Sequence, residues 1–552
     1  MNLSPMNINR KYITLFSIAF AAGCMHAQAQ SEKNDSTLNR TVVVENEYNP
    51  QIMDANKINM LPAIEEPKAT KKPIEYALNS FPFSAFRYRV MPAYGNNTQQ
   101  PNAPMCYLNL GYGNNGNVTG ELNYWANISK NDKLNLNASF DGTNFEPDTE
   151  DYAEWNSRFY QSEIKADYTH LFNKAQLNAK AWFGTQVFNY LPLYETDKQS
   201  NMLGGARISI ASTQAEQPWQ YALEAGIQHF GRSYLYGLDE SNSETNLQLQ
   251  GNLSYGWDEE SRVGIKLNID QANYSFEGLE NSGLIGIAPY YELNTDYMHL
   301  HLGAKADIST GFKSGVNISP DVTVEFPFAG QYTFYVQAKG GALLNDFFRF
   351  NSLTPYWGGY AGHDQMENTH VQLDAFAGLK SDLGENFWVN FFAGYELRKH
   401  EIGFYPTSID NDIESLPYSF TQGKGNNLKA GLASSYQYKD LIDVSLDATY
   451  RNWSTDDGME VLLCDKPELD VKFELRVHPT SRLNVLLGYQ HRTYSEGDRD
   501  ALANLYAGAD YRFFNFFSLW VKAANLTNSK YQTDLFYPAQ GINFMIGTSF
   551  RF

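Results

Sequence analysis

From Met105 to Phe552 the sequence repeats one pattern: an alternating apolar and polar run of about ten residues, a turn, another such run, then a longer polar loop. No part of this stretch sustains a helical period. The clearest run is Leu469 to His478, where Leu469, Val471, Phe473, Leu475 and Val477 alternate with Asp470, Lys472, Glu474, Arg476 and His478. Successive strand residues point to opposite faces, so this segment has one apolar and one charged face. A single such strand fits a soluble sandwich as well as a membrane barrel. Repetition favours the barrel. Leu247, Leu249, Leu253, Tyr255 and Trp257 oppose Gln248, Gln250, Asn252 and Ser254, and in the last strand Ile542, Phe544, Ile546, Phe550 and Phe552 oppose Asn543, Ser549 and Arg551.

Loop lengths give an independent test, because membrane barrels of this kind have short turns on one rim and long loops on the other. Short turns fall around Asn131, Asn173, Gln217, Glu259 and Thr310, with longer connections at Asp141–Ser157, Phe188–Ser200, Gly231–Ser243 and Ser275–Asp296. Reading back from the carboxyl end, short turns near Asn515, Pro479, Asp440 and Gly384 alternate with long loops near Tyr531, Gly497, Asp457 and Ile409. The first strand then runs outward and the last inward, which requires an even number. A direct count gives 21, and the reading puts the parity clash between Lys313 and Thr369, where Pro320 and Pro327 interrupt the pattern. Either a short strand lies in Leu343–Thr369 or one strand has been split. The expectation is an all-β fold: a transmembrane antiparallel β-barrel of about 20–22 strands over residues 105–552, with 22 preferred.

Composition narrows the partners. Lys and Arg total 42 against 62 Asp and Glu, a net charge of −20 that argues against nucleic acid, whose phosphates need a basic stripe. Aromatic residues make up 15% of the chain, too many for a disordered polymer.

Residues 1–29 read as an export signal, with Arg10 and Lys11 before the apolar run Ile13–Ala22 and Ala27-Gln28-Ala29 as the cleavage site. Lipidation at Cys24 is the competing reading. Cys106 and Cys464, the remaining thiols, are too few for a disulfide framework. Residues 30–104 carry Pro62, Pro67, Pro73, Pro82, Pro92, Pro101 and Pro104, a density that a sheet interior does not accept, and are read as a short periplasmic arm.

The segment Leu519–Phe552, with Val521-Lys522-Ala523-Ala524-Asn525-Leu526-Thr527-Asn528, Tyr531, Tyr537-Pro538, Gly541 and a terminal Phe, resembles the last hairpin of TonB-dependent receptor-type outer-membrane barrels. The terminal aromatics Phe550 and Phe552 resemble the signal by which the barrel-assembly machinery recognises its clients. Thr41-Val42-Val43-Val44 resembles a TonB box, an extended segment that can add as a strand to TonB. The resemblance implies an integral outer-membrane protein, surrounded by lipid, with its arm in the periplasm. It departs from the family between Val44 and Met105, a proline-rich stretch too short for a complete plug. The arm, inward-folded loops or another protein, such as a surface lipoprotein, would then have to close the lumen.

Other motifs are weaker. Gly111-Tyr112-Gly113-Asn114-Asn115-Gly116 spells a dinucleotide fingerprint, but the strand alternation that follows makes it a hairpin loop. His299 and His301 read as lumen-facing polar residues, and the acidic run Asp141–Glu154 as a solvated loop. No catalytic motif stands out, and the chain is read as a non-enzyme without cofactor or metal. Two aromatic groups remain: Phe347, Phe348, Phe350, Tyr356, Trp357 and Tyr360, then Phe404, Tyr405, Tyr418 and Phe420. They could bind a sugar or a partner protein, or could belong to the girdle at the lipid headgroups. The expected function is a receptor-like channel or transporter component for a hydrophilic solute, acting with an accessory protein. The alternative is a barrel that serves as a membrane platform in a larger outer-membrane complex.

Overall fold

The computed structural model describes residues 105–147, 155–191, 198–213, 217–233, 241–276, 278–358, 366–383, 386–405, 419–495, 499–534 and 537–552. The export signal, the arm and the TonB-box-like Thr41–Val44 lie outside the described residues.

The first strands are β1 (Cys106–Gly113), β2 (Val118–Asn127), β3 (Asp132–Phe145), β4 (Ser157–Leu171), β5 (Ala175–Phe188) and β6 (Gln199–Ser212). They are followed by β7 (Trp219–Arg232), β8 (Asn242–Gly256), β9 (Ser261–Tyr274), β10 (Ser282–Asn294), β11 (His299–Thr310), β12 (Gly315–Phe328) and β13 (Tyr332–Leu343). A helix, α1 (Phe347–Leu353), interrupts the series before β14 (Thr369–Asp382), β15 (Phe387–Tyr405), β16 (Ser419–Tyr438) and β17 (Ile442–Thr455). Then come β18 (Pro467–Thr480), β19 (Leu483–Tyr494), β20 (Leu502–Phe514), β21 (Phe517–Ala524), a short hairpin β22 (Gln532–Asp534) and β23 (Tyr537–Pro538), and β24 (Asn543–Arg551). Apart from β22 and β23, these form one antiparallel sheet of 22 strands in which each pairs with its chain neighbour and β1 pairs with β24.

Closure is what lets such a sheet stand in lipid, where an unpaired strand edge would leave its peptide groups without partners. The seam is finished by Phe552, whose N–H and C=O both bond Cys106 at 2.9 and 3.1 Å. The ring of Phe550 packs on Phe517 of β21, 5.3 Å between centroids. β1 turns into β2 through Asn115 and Gly116, both at positive φ (55° and 62°) as a tight hairpin turn demands. The dinucleotide-like spelling is therefore this hairpin.

The alternation sorts side chains into a lipid face and a lumen face. On β8, Leu247 and Leu253 are about half exposed on the outside, while Glu244 and Asn246 are buried within. Toward the short-turn rim the outward rings pair along the wall, as Trp219 with Tyr255 at 4.9 Å and Trp257 with Tyr291 at 6.0 Å. The charged face of β18 points inward, where Arg492 pairs with Asp470 at 2.6 Å and His478 meets Asp443 at 3.0 Å.

The strand missing from the count of 21 is β10. The segment Ser275–Asp296, read as one long loop, contains a full strand, Ser282–Asn294, and the turn after Thr310 consequently lies on the long-loop rim. β10 escapes a search for alternation because Leu284, Ile285, Ile287, Ala288 and Pro289 are apolar on both faces. Its inner face needs few polar groups because Leu284, Ala288 and Tyr290 are buried by neighbours rather than wetted. Among its described residues, Leu343–Thr369 holds helix α1 and no hidden strand, and Pro320 and Pro327 sit inside β12 without splitting it.

The two-faced wall predicts opposite tolerances at adjacent positions. Leu247→Arg, on the lipid face, should cost about 2–4 kcal/mol in urea unfolding from phospholipid vesicles. Gln250→Arg, exposed to the lumen, should fold with nearly wild-type stability.

Candidate functional site

The lumen wall is built from a repeated unit. A glycine on one strand leaves a notch, a ring from a neighbouring strand lies in it, and a cation covers the ring and pairs with a carboxylate. At Gly264 an added Cβ would stand 2.3 Å from the Tyr290 ring, Lys266 Nζ lies 4.9 Å from the ring centre, and Lys266 pairs with Asp321 at 3.6 Å. The same order recurs with Gly378, Tyr335, Lys380 and Glu325, and with Gly205, Trp182, Arg207 and Glu224. Phe376 lies beneath Lys429, which pairs with Asp374 at 2.5 Å. The rings thus lie along the wall rather than across the lumen. His301 bonds Glu292 and Asp321 through its two ring nitrogens, each at 3.1 Å, so it bridges two carboxylates, and His299 bonds Asn294 at 3.3 Å on the rim. No group of three or more His, Cys, Asp or Glu able to hold a metal occurs among the described residues.

Across the long-loop end of this lumen lie the described residues of the connection between β13 and β14, 344–358 and 366–368. Its inward course starts at bulges. β13 shifts register between Lys339 and Gly341, and Gly341 takes φ +143°, a value that favours glycine. Asp307 of β11, fully buried, accepts the Ala342 N–H at 2.8 Å and fixes the bend. β14 shifts register between Val371 and Leu373. The neck is tied by Asn345, which donates to Glu367 O at 2.6 Å and to the Thr369 hydroxyl at 3.2 Å.

Beyond the neck, α1 reaches strands far around the ring from its own. Asp346 caps the helix by accepting the Arg349 N–H at 2.8 Å. On β6 to β8, Asn201 donates to Asn351 at 3.0 Å, Asn246 donates to Asp346 at 2.8 Å, and Glu244 accepts the Phe347 N–H at 2.6 Å. Arg232 of β7 donates to the carbonyls of Trp357 and Pro355 and to the Tyr190 hydroxyl, with its guanidinium 4.0 Å from the Trp357 ring centre. On β15 and β16, Phe404 and Phe420 pack at 5.0 Å, and Phe420 meets Phe350 at 4.5 Å. From the β21–β24 connection, Tyr537 stacks on Tyr356 at 3.5 Å and touches Trp155.

The candidate aromatics therefore converge. Phe347, Phe350 and Trp357 are 0% exposed, and Tyr356, Phe404 and Phe420 nearly so, in one cluster that Phe348 packs against. These rings are occupied by one another, within the barrel mouth rather than on its lipid girdle. Tyr360 and Tyr418 lie outside the described residues, as does the Tyr405 side chain. The residues that sequence reasoning missed are the ones that hold the loop: Glu244, Asn246, Asn201 and Arg232 sit on strands where each looks like an ordinary lumen residue. A basic residue at the outer end of an aromatic-rich strand, as in Phe230-Gly231-Arg232, was the available signal for the last of them.

No protein-family model matches this sequence, and no curated protein matches it significantly. Solved structures do. The iron transporter FrpB from Neisseria meningitidis (F3-3 variant) superposes with a TM-score of 0.64 at 10% identity over 82% of each chain. The ferric-catecholate import receptor Fiu from E. coli K12 gives 0.61 at 10% identity, again over 82% of each chain. The copper transporter OprC gives 0.61 at 13% identity, over 81% of this chain and 82% of that one. The fold is a 22-stranded outer-membrane β-barrel. At such identities the likeness lies in the fold.

Two measurements test the wall and the loop separately. Gly264→Ala forces the Tyr290 ring out of its notch, and because the Tyr290 hydroxyl is held by Asn252 at 2.9 Å the ring cannot yield freely. A loss of about 1–3 kcal/mol in unfolding stability is expected. Arg232→Met should leave barrel stability nearly intact while exposing the β13–β14 connection to added protease, read as new cleavage between residues 344 and 368 on folded protein in vesicles.

Proposed function

We propose that this chain is an outer-membrane channel or transporter component for a small hydrophilic solute, with the β13–β14 connection as its outer closure. The observation that carries the reading is the pairing of a polar, charge-lined wall with a separate segment packed across its mouth. A polar enclosed face comes with any closed barrel in lipid; a separate segment packed across that face is what a passage that opens and shuts requires. The neighbours in fold transport or receive iron compounds and copper; here the solute is read from the wall, whose alternating cations and carboxylates suit a hydrophilic molecule of low net charge.

In this reading the arm lies in the periplasm and offers Thr41–Val44 to TonB as an added strand. The short, proline-rich stretch from Val44 to Met105 does not make a complete plug, and the inward loop takes over part of that role. A surface lipoprotein is the accessory partner, and the barrel-assembly machinery inserts the chain through its terminal Phe550 and Phe552.

One observation favours the platform reading. The loop is gripped by three separate parts of the wall, which suits a mouth that stays shut while loops or arm dock another outer-membrane complex.

Planar-bilayer recordings separate the two. Replacing residues 346–358 by a short Gly-Ser linker should raise single-channel conductance several-fold if a continuous aqueous path lies beneath. Unchanged, near-zero conductance in the shortened protein would overturn the channel reading and leave the platform. Deleting Thr41–Val44 should abolish energised solute uptake by cells while leaving the conductance in bilayers unaltered.

A further inference from the structure

Both ends of α1 are held by carboxyl groups withdrawn from water. At its start, Asp346 is gripped by the Arg349 N–H and by Asn246, and Glu244, fully buried, takes the N–H of the next residue, Phe347. Glu244 and Asp346 thus bond to adjacent links of one backbone turn and feel each other's charge. Just past its end, the Thr354 hydroxyl donates to Asp534 of β22, which is 5% exposed. Among the described residues Asp534 Oδ2 has no hydrogen-bond partner, while Glu244 is bonded by the Tyr274 hydroxyl. A buried carboxylate with an unsatisfied oxygen, as at Asp534, or with another carboxylate beside it, as at Asp346, is costly to ionise.

We propose that α1 is an acid-fastened latch: the loop stays across the lumen while Asp346 and Asp534 keep their protons, and is released as they ionise. This rests on the reading of the loop as the closure of the mouth, and adds what controls it.

The surroundings favour the protonated form. Asp346 faces Glu244 and Asn246 on β8, Asp270 on β9 and Arg349 on its own helix. Tyr274 of β9 faces both Glu244 and Asp346. Arg349 draws the Asp346 carboxyl down, but it is shared with Glu401 and lies near Arg398. Burial wins, and the Asp346 carboxyl is raised above the ordinary aspartate range. Asp534 faces Thr354, Arg499 and the Tyr356 and Tyr494 hydroxyls; Arg499 is engaged by Asp465 and by the carbonyls of Gln532 and Thr533. Burial pushes the Asp534 carboxyl up to about 6. In the released loop the two aspartates meet water and return to ordinary values near 3.9. The docked form therefore binds protons more tightly. Its advantage is complete below pH ~4, falls as pH rises toward ~6, and is gone above that.

The test uses the full chain in phospholipid vesicles, with Cys106 and Cys464 changed to serine and spin labels at Ser352→Cys on α1 and Ser243→Cys on β8. Pulsed-EPR distances at pH 4.5 should give one docked population. At pH 7.5 a longer distance should grow in, with the docked-to-released ratio lowered at least about tenfold. D346N combined with D534N, which keep a carbonyl acceptor at each place and cannot ionise, should stay docked at both pH values. D534N alone should raise the docked fraction at pH 7.5, which keeps the test open if the double variant does not assemble. Identical wild-type distances at both pH values, or variants that titrate as the wild type does, would overturn the latch. Conductance recorded in parallel separates the two readings. A loop that moves with pH while conductance stays at zero supports the latch and counts against the channel, whereas conductance that opens with pH over an unmoved loop overturns the latch.

Discussion

Everything in this structure follows from the requirement that peptide groups in lipid find partners within the protein. A sheet meets it only by closing on itself, and closing fixes much else. The number of strands must bring the last back to the first in antiparallel order, so 22 strands end with β24 against β1. Each strand must divide its side chains between lipid and lumen, which imposes a two-residue period along most of the described chain. The enclosed face is then obliged to be polar over a long perimeter, and its charges have to be neutralised locally because water alone does not screen them well there.

The cross-strand register does that neutralising. Arg492 meets Asp470 because the ladder sets them side by side, while Lys380 reaches Glu325 across β13 and Lys429 reaches Asp374 across β15, because next-but-one strands present the same face at matching heights. Glycine has a matching task. By removing a side chain at Gly264, Gly378 and Gly205, the chain makes room for Tyr290, Tyr335 and Trp182 to lie down instead of standing in the lumen. The loop at the mouth depends on this frame as well. Asp307 on β11 and the register shifts of β13 and β14 direct it inward, and the far strands carry the groups that receive it.

Much of the barrel was legible because its physics is local. A two-residue period and a contrast between short and long connections are visible in any strand pair, and they fixed the class of fold, the direction of the first and last strands and the requirement for an even count. Where the period failed, the reading failed. β10 is apolar on both faces through Leu284, Ile285 and Ile287, so nothing local separates it from a loop, and the parity clash expected between Lys313 and Thr369 lies earlier in the chain, at Ser282–Asn294. The site was less legible for a different reason. Phe347, Tyr356, Trp357 and Phe404 stood out as aromatic, but their burial depends on Arg232, Tyr190 and Tyr537, which are distant in sequence. A ring that faces a ligand and a ring that faces another ring have the same one-letter code.

The notched rings also bear on what a molecule in the lumen would meet. Tyr290, Tyr335, Phe376 and Trp520 are each less than a tenth exposed, covered on one side by the wall and on the other by Lys266, Lys380, Lys429 and Lys522. A sugar or a planar compound finds few bare faces to stack on along this wall. Passage would be a sequence of brief exchanges with hydrated ion pairs, none strong enough to hold, so discrimination would fall on width and on the group that lifts the loop.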